Sequence, residues 1–510
     1  MSTLTPAADG TLRSLIPARI DRLPWSPFFT RMVMALGVAW LLDGLEITIA
    51  ATVIPTLTDQ ATLGLSSGSV GAVASVYLLG EVVGALVFGK LSDRLGRRNL
   101  FMVTLGIYLF GSGLTALTMG SSTGWVVFLY ATRFLAGVGI GGEYAAINSA
   151  IDEMMPARYR GRVDIAVNGT YWAGALLATV GQLIIFDNIS EGTAWRLGFL
   201  LGPILGIVIL FVRKSLPESP RWLIMKGRED EAEAQIRRME QWVRESHEEG
   251  LPPVDESKAI EIKPATDLGY RALVKVLFQQ MPRRSVLGST LMISQSFLYN
   301  AIFFTYGLVL KQFYGISNTQ LPYYFIAFAI GNLAGPLLLG PLFDTLGRRK
   351  MIASTYLLSG ALLAVTAVLF QAGALTALTQ TLAWSAVFFF ASAGASAAYL
   401  TVSEIFPIEV RAKAIAVFFA IAQGFGSLGP FVYGNLIGDG KDSARLFVGY
   451  LLGAAVMAIG GIVAWVLGVN AEGKSLEEVA TPLTAVKRLV PSYPAGPSTK
   501  APLDERIHLA

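Results

Sequence analysis

The chain has 510 residues, 53% of them hydrophobic and 15% charged, with a mean hydropathy of +0.55. So few charged side chains cannot cover the apolar surface of a water-soluble chain this long, which excludes a soluble globular protein and points to one embedded in a bilayer. The formal net charge of +4 implies no nucleic-acid partner, and the absence of cysteine excludes disulfides, thiolate metal sites and cysteine nucleophiles. Both histidines, His247 and His508, fall in polar stretches, so no cofactor or metal centre is expected.

Residues 1–29 carry Arg13, Arg19, Asp21 and Arg22 between prolines and lack an apolar run before a small-residue cleavage site. They read as a polar tail rather than a cleaved signal. A bilayer core of about 30 Å needs roughly 20 apolar residues per helix. On that measure helices are predicted near 30–54, 68–89, 100–119, 124–151, 163–186 and 195–212. Six more follow near 285–310, 319–343, 351–371, 376–403, 411–437 and 443–468. The fold class is therefore all-α, with twelve membrane helices in two six-helix halves, 30–212 and 285–468. An insert, 213–284, joins them, and 469–510 forms a second tail. Within the insert, 228–246 alternates charge with Ile236, Met239 and Val243 at helical spacing, which predicts an amphipathic helix. Residues 248–264 and the tail from 470 are polar and proline-containing, and read as loose.

The run Gly89-Lys90-Leu91-Ser92-Asp93-Arg94-Leu95-Gly96-Arg97-Arg98 returns as Gly340-Pro341-Leu342-Phe343-Asp344-Thr345-Leu346-Gly347-Arg348-Arg349, 251 residues later. Glu153, Pro156 and Arg160 recur at the same offset as Glu404, Pro407 and Arg411. Two unrelated patterns at one offset indicate an internal duplication. Of 40 lysines and arginines, Arg133 alone lies deep in a helix, and four (Arg196, Lys311, Lys441, Arg445) fall at helix ends of one parity. The remainder lie in the tails, the insert and loops of the other parity, so both termini are expected in the cytoplasm of a cell-membrane protein.

Ionisable groups inside a bilayer are costly and raise a functional hypothesis. Here they are Asp43 and Glu46 in helix 1, Glu81 in helix 2, and Arg133 and Glu143 in helix 4. At about 1.5 Å per residue, Glu46 and Arg133 lie at similar depth, so a carboxylate–guanidinium pair is expected. Asp43 and Glu46 are three apart and share a face. Two close carboxylates in a low dielectric do not both ionise cheaply, which suits reversible proton binding. Glu81 is either a third member of this group or a neutral packing acid. Gly137-Val138-Gly139-Ile140-Gly141-Gly142 satisfies a dinucleotide-binding pattern, but no strand precedes it, and close helix packing is the better reading. Gly64-Leu65-Ser66-Ser67-Gly68 lacks the strand–turn–helix setting of a nucleophile elbow. No nucleophile–base constellation indicates an enzyme.

The paired loops resemble those of the major facilitator superfamily, and Pro217-Glu218-Ser219-Pro220-Arg221-Trp222-Leu223 resembles the sugar-porter signature after the sixth helix. That resemblance implies two bundles that rock about a central solute site. It implies a cytoplasmic gate of Asp93, Arg97, Arg98, Glu153, Arg160, Glu218, Arg221, Asp344, Arg348, Arg349, Glu404 and Arg411. Proton-coupled sugar porters carry Gly-x-Asp in helix 1 and a partnering arginine in helix 4, matched here by Gly44-Leu45-Glu46 and Arg133. Their Gln-Gln-x-x-Gly-x-Asn in helix 7 is here Ser294-Gln295-Ser296-Phe297-Leu298-Tyr299-Asn300, and their helix 10 Pro-x-x-Trp is Ser396-Ala397-Ala398-Tyr399. These departures argue against a hexose-specific pocket. Gln295, Tyr299, Asn300, Tyr306, Trp384, Tyr399, Gln423, Asn168 and Trp172 are the candidate solute contacts.

The reading is a monomeric secondary transporter that takes up a sugar or polyol together with protons. An organic acid, an organic cation or facilitated uniport are the alternatives. Drug efflux is disfavoured, since helix 5 (Val163 to Phe186) contains glycines but no proline, and a membrane sensor is disfavoured by the short tail.

Overall fold

The computed structural model describes residues 4–6, 12–95, 97–213, 218–246, 250–262, 269–407, 410–481 and 483. Side-chain description does not extend to 92–99, 144–150, 207–213 and some single positions, so Asp93, Arg97 and Arg98 lie outside the described residues, as do His247 and His508.

Twelve membrane helices form two six-helix bundles. The first comprises α1 (Pro27–Val53), α2 (Ser67–Leu95), α3 (Arg97–Thr115), α4 (Thr123–Met154), α5 (Ala157–Asn188) and α6 (Glu191–Arg213). The second comprises α7 (Pro282–Phe303), α8 (Leu321–Thr345), α9 (Arg348–Gln371), α10 (Ala377–Glu404), α11 (Arg411–Gly426) and α12 (Ser443–Leu467). Local chemistry sets the starts. Pro27 opens α1 where its missing N–H is no loss, Thr376 and Thr379 form a capping box on α10, and Asp442 caps α12. In the repeated loop before α9, Gly347 has φ +101°, a conformation open to glycine and strained for other residues.

Two spans predicted as continuous are interrupted. After α7 the helix breaks and resumes as Tyr306–Tyr314, and after α11 it resumes as Leu428–Ile437. At the first break the Thr305 hydroxyl donates to the Ala301 carbonyl at 2.5 Å. At the second, the Ser427 carbonyl accepts from Ser75 of α2 at 2.6 Å, in the opposite bundle. Hydroxyls competing for ladder carbonyls favour such breaks.

Within the bundles, glycines allow backbone contact. A Cβ on Gly44 or Gly174 would run into the carbonyls of Tyr171 and Leu41, which joins α1 to α5. Gly137 and Gly141 stand likewise against the carbonyls of Tyr77 and Glu81, joining α4 to α2. The glycine run of α4 is thus a packing surface.

The insert contains the expected amphipathic helix, Glu229–Glu245, burying Ala232, Ile236, Met239 and Val243. The residues before α1 dock on it. Arg19 donates to Glu240 (2.6 Å) and Glu233 (2.8 Å), and the Phe28 and Trp242 rings meet edge to face. Neither loose segment is wholly so. Ile260–Ile262 pairs antiparallel with Leu12–Ser14, which pairs with Leu4–Pro6. In the tail, Ser475 and Glu478 cap a turn at Leu476–Val479, and Arg284 donates to the Val479 carbonyl at 2.9 Å. Both segments find backbone partners that polarity alone does not reveal.

Candidate functional site: a cavity between the bundles and a buried acid beside it

A cavity of about 110 Å³ lies where the bundles meet. Its wall takes Trp40 and Ile47 from α1, Leu78 and Glu81 from α2, and Asn168, Tyr171 and Trp172 from α5. The second bundle contributes Gln295, Ser296, Tyr299, Asn300 and Phe303 from α7, Ser392, Ala395, Ser396 and Tyr399 from α10, and Gln423 from α11, with Phe304 at the α7 break. Seven of the predicted solute contacts (Asn168, Trp172, Gln295, Tyr299, Asn300, Tyr399 and Gln423) therefore line one space. Tyr306 and Trp384 do not. Both are fully buried 4.8 Å apart in an aromatic stack, and the Tyr306 hydroxyl donates to Thr381 at 2.8 Å. The α7 break lies between Asn300 and Tyr306 and takes the latter off the cavity face. Trp40, Tyr171, Phe303 and Ser392 were not expected in the wall, because an aromatic or small residue in a membrane helix gives no sequence sign of which way it faces.

The wall is aromatic with a polar stripe. Trp172 packs against Tyr299 at 6.0 Å and Phe303 at 5.6 Å, and the Tyr299 hydroxyl donates to Asn332 at 2.9 Å. Gln423 gathers the polar groups. Its carbonyl oxygen accepts from Ser296 (2.5 Å) and Asn300 (3.0 Å), and its NH2 donates to the Glu81 carboxylate across the bundle interface.

Glu46 and Arg133 are both buried and sit off the cavity wall. They are not in direct contact, contrary to the expected pair. Ser112 of α3 stands between them, donating its hydroxyl to Glu46 Oε1 and accepting from Arg133 Nη1 at 3.4 Å. The other Glu46 oxygen lies against Gly202 of α6, where a Cβ would collide with it. The Arg133 guanidinium rests 4.5 Å over the Tyr77 ring and 5.0 Å from that of Phe199. Tyr77 is one turn from Glu81 on α2, so the cluster reaches the cavity along one helix face. Asp43 is buried too, on the same helix as Glu46. Asp164 of α5 is a further buried acid, accepting from Asn168 at 3.2 Å, which its place near a helix start concealed.

Cross-bundle ion pairs stand on both sides of the cavity. Toward the insert, Glu404 of α10 accepts from Arg160 of α5 at 3.4 Å and from Arg348, which also holds Asp344 at 3.0 Å. Asp344 accepts from the backbone N–H of Arg162 at 2.9 Å. Four of the predicted gate residues thus form one network, buried at Glu404, Arg160 and Arg348 and partly exposed at Asp344. Arg221 instead lies 3.6 Å from both Asp21 and Glu477. Arg349 turns to the Trp465 carbonyl at 2.6 Å, and Arg411 Nη2 donates to the Phe406 carbonyl at 3.1 Å. Glu153 is buried, and Glu218 accepts from the Ser219 N–H at 3.4 Å. On the far face Lys311 meets Asp59 at 2.7 Å, an ion pair for which the sequence held no signal.

Two pseudo-repeated bundles with a solute-sized cavity at their interface and ion pairs on either side define a membrane transporter. The match to a family model described as "Sugar (and other) transporter" covers residues 43–483, and the chain belongs to that family. This family and fold are those of major facilitator transporters, not enzymes. Among curated relatives, the niacin transporter NiaP of Acinetobacter baylyi is 26% identical over 464 residues, which is 91% of this chain and 99% of that protein. The inner membrane metabolite transport protein YgcS of Escherichia coli is 26% identical over 450 residues, covering 88% and 93%. Among solved structures, the proton:xylose symporter XylE bound to 6-bromo-6-deoxy-D-glucose aligns with TM-score 0.71 at 21% identity over 88% of this chain and 98% of that one. A partially occluded inward-open form of XylE from E. coli aligns with TM-score 0.66 at 18% identity, over 86% and 98%.

Proposed function

We propose that this chain is a proton-coupled symporter that imports a small polar metabolite by alternating access, with the insert and both termini in the cytoplasm. The observation that carries this reading is the separation of two buried sites, one in the cavity between the bundles and one inside the first bundle. The Glu46–Ser112–Arg133 cluster lies off the cavity, so a proton on Glu46 does not compete with a solute among the Gln295, Asn300 and Gln423 side chains. Competition for one site would suit exchange in opposite directions; separate, linked sites suit joint movement. Arg133 is the link, since it holds Ser112 on one side and lies over Tyr77, a turn from Glu81, on the other.

A sugar or polyol is one reading of the solute, supported by the four amide and three serine side chains in the wall. The name of the xylose symporter neighbour agrees with this. A flat nitrogenous solute is the second reading, favoured by the aromatic wall and by the name of the niacin-transporting relative. Purified protein in proteoliposomes with an inward proton gradient tests the coupling. The expected outcome is uphill accumulation that a protonophore abolishes. Glu46→Gln is expected to lose accumulation and to keep solute counterflow. Accumulation unaffected by the protonophore sinks symport.

A further inference from the structure

Gln423 occupies the cavity in the way a ligand would. Its terminal carboxamide is met at both ends, with the NH2 on the Glu81 carboxylate and the C=O taking the Ser296 hydroxyl at 2.5 Å and the Asn300 NH2 at 3.0 Å. Asn300 also donates to Ser296 at 3.0 Å, so the two donors are held in position by each other. One acceptor facing two convergent donors is the hydrogen-bond complement of a primary amide. Around it stand the rings of Trp172, Tyr299 and Tyr399.

Among the described residues Glu81 is the one carboxylate of the wall, and none of the described wall residues is a lysine, arginine or histidine. A buried carboxylate without a strong donor is expensive, and hydrogen bonds to a charged group are worth more than neutral ones. Gln423 and Glu81 also belong to different bundles, on α11 and α2. Their bond is therefore both a stand-in for a solute contact and a strut across the interface.

We propose that Glu81 is the specificity-determining residue of the cavity, and that the transported solute is a small flat-ring molecule bearing an N–H donor, a primary amide or an amine, that replaces the Gln423 amide on it. Replacement transfers Glu81 from a bond within the protein to one with the solute, and so removes one tie between α2 and α11 only when the correct donor is present, leaving the Ser75–Ser427 bond in place. A hydroxyl offers one hydrogen where an amide or amine nitrogen offers two or more, and compensates the carboxylate less well. This rests on the cavity being the solute site, as in the transport reading. It narrows the solute class there and favours the nitrogenous solute over the polyol.

Binding to the purified full-length protein in nanodiscs, followed by calorimetry without any gradient, tests it. The probes are benzamide, benzylamine, benzyl alcohol and xylose. Benzamide or benzylamine is expected to bind at least about tenfold more tightly than benzyl alcohol and xylose. Glu81→Gln is expected to bring the three aromatic probes within about threefold of one another, and Glu81→Asp, which keeps the carboxylate, to restore the preference. Preference for xylose or benzyl alcohol in the unaltered protein overturns the proposal whether or not the variants fold, and so does a nitrogen preference that survives Glu81→Gln. Failure of proton coupling would instead appear in the uptake assay and leave these affinities untouched. Binding of none of the four probes also overturns the proposed class.

Discussion

Asp59 and Lys311, 252 residues apart and in opposite bundles, meet at 2.7 Å on the face away from the insert. Lys311 also donates to Thr58 at 3.0 Å and Asn318 at 3.3 Å, and Asn318 donates to Asp59 at 2.5 Å. The pair is partly exposed, which limits its strength to about 1 kcal/mol. Asp59→Asn is accordingly expected to shift the population open on that face by roughly fivefold. The chain has no cysteine, so Leu78→Cys in the cavity wall gives a background-free reporter. Faster labelling by an impermeant maleimide in the Asp59→Asn background is the expected result; an unchanged rate would mean the pair is not a closure element.

The insert-face network is a different case because it is buried. Glu404 serves Arg160 and Arg348 at once, and all three side chains are nearly inaccessible. Removing one partner of a buried ion cluster leaves uncompensated charge, at about 3–5 kcal/mol. Glu404→Gln should therefore lower the unfolding temperature far more than Asp59→Asn in the same scan. Equal losses would show that burial does not control the difference.

Ser112 sits where the resemblance led one to expect direct contact between Glu46 and Arg133. Ser112→Ala removes the bridging hydroxyl and leaves Glu46 and Arg133 in place. Uphill accumulation should fall at least tenfold while counterflow, which needs no proton movement, stays within about twofold, given roughly 1–3 kcal/mol for a hydrogen bond to a charged group. Equal losses in both assays would make Ser112 a packing residue.

Helix packing provides a contrast between two glycines. A Cβ at Gly174 would occupy the place of the Leu41 carbonyl, so Gly174→Ala should part α1 from α5 and cost about 1–3 kcal/mol or more. A Cβ at Gly106 meets nothing within 4 Å, and Gly106→Ala should be neutral or slightly stabilising. Thermal unfolding of the two variants side by side checks this.

The docking of the residues before α1 on the insert depends on pH. Burial pushes the Glu240 carboxyl up, but hydrogen bonds and charge from Arg19 and Arg22 outweigh it and hold Glu240 below its ordinary value. A depressed carboxyl stabilises the folded form above the unfolded value of about 4.3 and loses that contribution as pH falls through the lower folded value. Hydrogen exchange in Glu229–Glu245 should therefore stay slow near pH 7 and accelerate selectively below about pH 4. Glu240→Gln should show the faster exchange already at neutral pH.

Amino-acid order alone determined the parts of this protein that depend on solvent. Twenty-residue apolar runs, the 251-residue repeat and the uneven placement of basic side chains follow from what a bilayer admits, and each is legible residue by residue. Buried acids were equally visible, because Glu46, Glu81 and Asp43 stand out in apolar surroundings wherever their helices go. Tertiary structure alone decided which side chains meet. Helices α1 and α3 had to pack before Ser112 could come between Glu46 and Arg133, α11 had to meet α2 before Gln423 could reach Glu81, and the break after α7 set Tyr306 apart from Asn300. Lys311 found Asp59 only because the two bundles close on each other. Such contacts join positions up to hundreds of residues apart, and a helix presents every face in turn, so the facing of a side chain is a property of the packed bundle and not of its own segment.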